Sequence, residues 1–201
     1  MDRKIHNIFP RPLAENRSFL GPNHCKKVLE HLKSLEYNSI DKSEPNKSFI
    51  SSSKDVLSQL PEIKDIILND FLQYIEYSMK ITDAKFKIGS SWGTKAPPGT
   101  DSNWHIHSNY FYSGVYYPEK CTGIMFKDQL VDHYIFDFSA QTPYNSNAYT
   151  HYPEKNSLVY FRSNLFHKIM KNTDTTDRYS LAFNIMPFGE YGTGDGIITV
   201  K

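Results

Sequence analysis

The segment NWHIHSNYFYSGVYY, residues 103–117, sets His105 and His107 two positions apart, just before a strongly β-forming run. Side chains alternate along an extended backbone, so the two imidazoles would project from one face as the edge of a metal site. An H-x-H pair alone recurs by chance and carries little. A third histidine, His167, follows sixty residues later in SLVYFRSNLFHKIM, where a strand, a turn and a second strand would return it to the same sheet. Such a distant ligand is what a jelly-roll barrel supplies, because its opposed strands converge.

Three ligands on one side of a metal leave the remaining positions open, as oxygen-activating non-haem iron requires, whereas a closed structural zinc site needs a fourth protein ligand. Eleven residues beyond His167 lies Arg178, in DRYSLAFNI. On a strand Arg178, Ser180, Ala182 and Asn184 share a face, and a guanidinium fork with a hydroxyl beside it can grip a carboxylate near the metal. Asn184 on that inward face needs hydrogen-bond partners, structural or at the site. Trp92 and Trp104 precede the histidine pair and either wall a pocket or simply pack a β core. His133 and His151 stand in separate tyrosine-rich runs, and His6, His24 and His31 in the arm and first helix, all without ligand spacing.

The elements that must carry these residues follow from periodicity. Residues 1–20 contain FPRP and no helical period, and read as an extended arm with a possible edge strand at Ile8 and Phe9. Val28, Leu29, Leu32 and Leu35 recur at helical spacing over residues 22–36. Residues 41–53 are polar and serine-rich, a surface loop. Pro61 opens a second helix in which Ile63, Ile66, Ile67, Phe71, Tyr74, Ile75 and Met79 return at three- and four-residue steps. From Ala84 onward come short β-rich runs divided by Gly, Pro, Asn and Asp, ending in a glycine-containing turn and IITV, the pattern of an antiparallel barrel or sandwich. The tail PFGEYGTGDG lacks the context of a phosphate-binding loop.

A chain of 201 residues suits one domain, an N-terminal arm and helices over 1–83 and a barrel core over 84–201, in the α+β class. The 23 Lys and Arg against 22 Asp and Glu leave a net charge of +1, with no like-charge run to suggest nucleic acid. No apolar run reaches membrane-spanning length and the charged start does not read as a signal peptide. Cys25 and Cys121, far apart, read as free thiols of a reducing cytoplasm. Oligomeric state leaves no mark on the sequence.

Three stretches, SSWGTKAPPGTDSNWHIHSNYFYSGVYYP, SLVYFRSNLFHKI and DRYSLAFNIMP, together resemble the 2-oxoglutarate and iron(II)-dependent oxygenases common in bacteria and marine bacteriophages, distantly similar to prolyl hydroxylases. The resemblance covers roughly residues 84–190. It implies a double-stranded β-helix (jelly-roll, cupin-like) core with N-terminal helices packed on it. It implies iron(II), 2-oxoglutarate and dioxygen: one oxygen atom goes into succinate as 2-oxoglutarate is decarboxylated, the other into a C–H bond of a peptide side chain, an amino acid or another small metabolite. By resemblance His105 and His107 match the H-x-D/E ligand pair, His167 the distal histidine, and Arg178 the partner of the far carboxylate, assisted by Ser180. Ser113 and Tyr117 of SGVYY match a hydroxyl and a tyrosine lent to the co-substrate.

The sequence departs from the family at His107, where most relatives have Asp or Glu. Alternatively His107 is the first ligand, with Asn109 or water in the carboxylate position and His105 behind. Two rival functions share the barrel. A cupin-like metal- or sugar-binding module has no need of Arg178 beside the metal. A zinc or manganese hydrolase or isomerase would want a nearby general acid or base, and no Glu stands ready near the ligands.

Overall fold

The alternating runs at residues 85–96, 112–117, 157–162 and 178–191 form the middle of one antiparallel sheet in the computed structural model, which describes residues 4–6, 10–129, 139–140, 142 and 144–201. In chain order the elements are β1 (Ala14–Asn16), α1 (Pro22–Ser34), β2 (Tyr37–Ser39), β3 (Phe49–Ser51), α2 (Pro61–Met79), β4 (Lys85–Ala96), β5 (Tyr112–Tyr117), β6 (Ile124–Lys127), β7 (Ala148–His151), β8 (Ser157–Arg162), β9 (Phe166–Ile169), β10 (Arg178–Tyr191) and β11 (Ile198–Val200). The larger sheet runs β1-β8-β5-β10-β4-β3-β2, with β11 against the far end of β10. A smaller sheet, β7-β6-β9, faces it.

Strand alternation gives the larger sheet two apolar faces. Tyr112, Tyr116, Leu158, Tyr160, Leu181 and Phe183 turn outward and meet Val28 and Leu32 of α1 and Ile63, Ile67, Phe71 and Ile75 of α2. Phe71 is the centre of this layer, with ring centroids 5.3–5.5 Å from Phe86, Tyr112 and Tyr160. Val115, Tyr117, Val159, Phe161 and Ala182 turn inward and meet Ile124 and Phe126 of the smaller sheet. Two antiparallel sheets with helices on the outer face of one are the layers expected of a jelly roll.

A bulge in β4 decides which residues reach the interior. Asn184 pairs with Ser90 and Ile185 with Ile88, so Gly89 is the extra residue. Without the bulge all even-numbered positions of β4 would share a face. With it, Phe86 and Ile88 face the helices, while Trp92 joins the inner core and Thr94 bonds Ser180. A Cβ at position 89 would lie 2.9 Å from the Tyr110 ring, so glycine suits the bulge.

The polar stretch 41–53, expected as loop throughout, contains β3. Ser51 Oγ accepts the Gly93 N–H at 3.0 Å, so a hydroxyl secures this short strand to the sheet. β1 to β3, from the first 83 residues, all extend the larger sheet. The edge strand at the N-terminal side is β1, while Ile8, Phe9, His133 and the run 133–138 lie outside the described residues. No helix is long and apolar enough to cross a membrane.

Candidate metal centre

His105 and His167 meet because their backbones pair. The His105 N–H donates to the His167 carbonyl at 2.9 Å and the His167 N–H to the His105 carbonyl at 3.0 Å. The His107 N–H donates to the Ser163 carbonyl at 2.9 Å, in the turn between β8 and β9. Residues 105–107 thus lie along the edge of the smaller sheet. A turn at Ser108–Asn109, with Asn109 left-handed at φ 69°, separates them from β5. One potential ligand atom from each of the three histidines lies within 4.8 Å of the others. Among the described residues no Asp, Glu or Cys joins them. Asn109 is exposed.

Two of the rings are held by backbone carbonyls. His105 Nδ1 lies 2.8 Å from the Asn103 carbonyl and His167 Nδ1 2.7 Å from the Leu165 carbonyl. A carbonyl only accepts, so each Nδ1 carries the proton and each Nε2 keeps its lone pair for a metal. Burial, with His105 nearby, pushes His107 down to about 4. Burial also holds His167 well below the ordinary imidazole range. Both rings are therefore neutral at pH 7, the state a cation needs. Trp92 lies beside His107, with ring centroids 5.5 Å apart. Phe161 and Phe126 pack on His167 at 4.7 and 5.9 Å.

Arg178 lies on the same inward face of β10 as Ser180 and Ala182, and is 5 % exposed. Its guanidinium donates to Thr122 Oγ1 and, at 3.3 Å, to the Met170 carbonyl. Among the described residues no carboxylate pairs with it. A buried cation answered only by neutral acceptors is expensive, and the inner face therefore favours an anion beside it. The Tyr117 hydroxyl is also buried and without a partner. Burial raises its pKa well above the ordinary phenol value, against which the Arg178 charge acts only in part, so it remains a donor. Ser180 Oγ lies 2.9 Å from Thr94 Oγ1.

Ser113, which the resemblance implies at the co-substrate, and Asn184, whose partners could be structural or at the site, bond to one another. Ser113 Oγ donates to Asn184 Oδ1 at 2.7 Å, leaving Ser163 Oγ to donate to Ser113 at 2.9 Å, and Asn184 Nδ2 donates to Ser90 at 3.1 Å. This buried chain ends on the residue whose carbonyl holds His107. Trp104 stacks on Phe166 at 5.2 Å with Lys168 over its ring, away from the inner core. His151 lies 3.4 Å from Glu15 and His24 2.9 Å from Glu62, neither near the cluster. Thr122, Thr94 and Ser163 were not singled out by sequence. Only their contacts across 56, 86 and 50 residues reveal them.

Residues 90–184 match the family described as "Putative 2OG-Fe(II) oxygenase". A search of curated protein sequences gives no significant match. Solved structures share the fold at low identity. An oxidoreductase of the 2OG-Fe(II) oxygenase family from Burkholderia pseudomallei is 9 % identical with a TM-score of 0.62, over 87 % of this chain and 84 % of that one. HygX from Streptomyces hygroscopicus, solved with nickel and 2-oxoglutarate bound, is 11 % identical with a TM-score of 0.58, over 95 % and 93 %. A prolyl-4-hydroxylase from Pseudomonas putida is 16 % identical with a TM-score of 0.55, over 88 % and 93 %. The three histidines and Arg178 thus all lie within the stretch, residues 90–184, that is similar to the 2OG-Fe(II) oxygenases.

Proposed function

We propose that this enzyme binds iron(II) through His105, His107 and His167 and 2-oxoglutarate through Arg178, and hydroxylates a C–H bond of a small molecule or peptide side chain. The observation that carries the reading is the buried Arg178 with no carboxylate partner among the described residues, on the inner face of the barrel whose mouth holds the three histidines. A bare metal-binding barrel gives no reason for such a cation.

The residues fit the two groups. Three neutral imidazoles on one side suit a divalent metal with open positions. The Arg178 fork and the unpartnered Tyr117 hydroxyl are both donors, suited to the far carboxylate, and Ser180 stands next to Arg178 on the same face. Trp92, with its ring centroid 5.5 Å from that of His107, stands as a wall beside the cluster. Iron(II) bound there supplies the reduction of dioxygen that couples decarboxylation of 2-oxoglutarate to oxidation of the substrate. The larger sheet, running unbroken from β1 to β2, supports treating all 201 residues as one catalytic unit. Two free thiols suit a reducing cytoplasm, that of the host if a phage encodes the chain.

Anaerobic addition of iron(II) and 2-oxoglutarate should produce a weak visible charge-transfer band, and admission of oxygen should release succinate. A folded, metal-loaded protein that does neither refutes the proposal. Arg178→Ala should weaken 2-oxoglutarate binding by about 100-fold, in line with loss of a buried charge-assisted contact, and leave metal affinity unchanged. Equal loss of both would remove Arg178 from its assigned role.

A further inference from the structure

Polar groups without partners gather on the outer face of the larger sheet, beneath α2. Arg162, at the end of β8, stands directly opposite Tyr112 of β5, and by strand alternation shares its face with Tyr160. Tyr74 of α2 lies over both strands, stacked on Tyr160 at 5.7 Å and edge-on to Tyr112 at 5.8 Å between ring centroids. The Arg162 side chain thus belongs to the helix-packed layer, with the sheet between it and the three histidines.

Three polar atoms of this layer are buried without a hydrogen-bond partner: Arg162 Nε and the hydroxyls of Tyr74 and Tyr112. Tyr112 is fully buried and Arg162 partly so. Burial, and after it the Tyr112 hydroxyl alongside, raises the Tyr74 pKa, so that phenol stays a donor. Were one hydroxyl to donate to the other, an O–H and the Nε–H would still want an acceptor. Nearby groups are already engaged. The Tyr160 hydroxyl donates to the Ile67 carbonyl at 3.0 Å, and Asp70, one turn before Tyr74, accepts from Asn16 at 2.7 Å. Arg162 forms no ion pair among the described residues.

A buried guanidinium without a counter-charge and hydroxyls without an acceptor are both costly. A water molecule would answer the donors and leave the charge uncompensated, whereas an anion answers both. The rings of Phe71 and Tyr74, with centroids 5.5 and 5.8 Å from that of Tyr112, leave no room for an organic body. The strand ends here also carry the metal centre. Ser163, next to Arg162, donates its N–H to the Phe111 carbonyl at 3.3 Å and accepts the His107 N–H at 2.9 Å.

We infer that Arg162, Tyr74 and Tyr112 form a binding site for a small inorganic anion, chloride in size, which fastens α2 to the ends of β5 and β8. The ion enters from solvent along the partly exposed Arg162. The site is separate from Arg178 on the inner face, and it fills without metal or co-substrate.

The test uses the full metal-free chain, with sodium gluconate exchanged for sodium chloride at constant ionic strength. Gluconate is too large for the site. The thermal midpoint of wild type should rise saturably, by about 2–4 °C when chloride reaches about five times its dissociation constant. Wild type should also broaden the chloride-35 magnetic resonance line, a readout independent of stability. Arg162→Gln should abolish both responses. Tyr74→Phe and Tyr112→Phe each remove one unpartnered hydroxyl and should weaken chloride binding by about tenfold, which keeps the test open if Arg162→Gln does not fold. A site holding water alone would give wild type the same midpoint in both salts, and that result overturns the inference. So does an Arg162→Gln protein that responds to chloride as wild type does, or unchanged chloride affinity in both phenylalanine variants.

Discussion

His107 completes a cluster with no carboxylate among the described residues, and the consequence is a matter of charge. Three neutral imidazoles leave a divalent metal uncompensated by the protein, so the dianionic co-substrate must supply most of the balancing charge. Metal and 2-oxoglutarate should therefore bind with strong positive coupling. Metal affinity, measured by competition with a chelator, should rise about tenfold or more when 2-oxoglutarate is added, and by linkage the reverse effect should be equal. In His107→Asp the coupling should shrink, and an unchanged coupling would refute the charge argument. The same residue sets an acid sensitivity in the metal-free protein. Its folded pKa of about 4 lies below the ordinary value of 6.5, so the unfolded chain takes up a proton first as pH falls. Stability is fully present above pH 6.5 and is lost progressively towards pH 4, by on the order of 2 kcal/mol once partial exposure is discounted. Urea midpoints of apo wild type and His107→Gln across that window test this. Parallel curves would contradict it. The spacing of the histidine pair and the inward face of Arg178 were legible because residue type and strand parity are local properties. The ring tautomers were not, because they are fixed by the carbonyls of Asn103 and Leu165, which any sequence could offer.

The elements were legible where their own periodicity decides them. α2 begins at Pro61 and ends at Met79 as its apolar steps require, and β8 matches its apolar run, whereas β10 continues beyond RYSLAFNIM to Tyr191, through residues expected as a turn and paired there with β4 and β11. Elements stabilised by distant partners escaped. β3 sits in a serine-rich stretch and depends on Ser51 reaching Gly93, and the β4 bulge shows only in its pairing with β10. The chain of Ser90, Asn184, Ser113 and Ser163 is of this second kind, joining β4, β10, β5 and the β8–β9 turn. Each link is a buried polar group that would be costly unpaired, so the strands and the turn are fixed in relation to one another. Asn184→Leu removes both central bonds and should cost about 1–3 kcal/mol. Because the far end holds the His107 backbone, the same change should weaken metal binding by about 10–100-fold, as loss of supporting contacts around metal ligands commonly does. Denaturant unfolding and chelator competition separate the two effects. A variant that loses stability and keeps its metal affinity would reduce the chain to ordinary packing.

At the scale of the molecule, one sheet serves two cores with different duties. Its outer face packs α1 and α2 around Phe71, and its inner face packs the smaller sheet around Phe161. The outer core touches none of the three histidines, whereas the Phe161 ring lies 4.7 Å from that of His167. Both phenylalanines are fully buried, so truncation of either leaves a cavity and should cost about 3–5 kcal/mol. Their effects on the metal should differ. Phe71→Ala removes contacts from a layer separated from the site by the sheet, so the folded fraction should bind metal with unchanged affinity. Phe161→Ala removes the ring packed against His167, lets the imidazole reorient and admits water, and should lower metal affinity by about tenfold. Metal titrations of both variants, at a temperature where each remains folded by circular dichroism, give the comparison. Equal metal affinities would mean that the inner core contributes packing alone and that the Leu165 carbonyl suffices to aim the ligand.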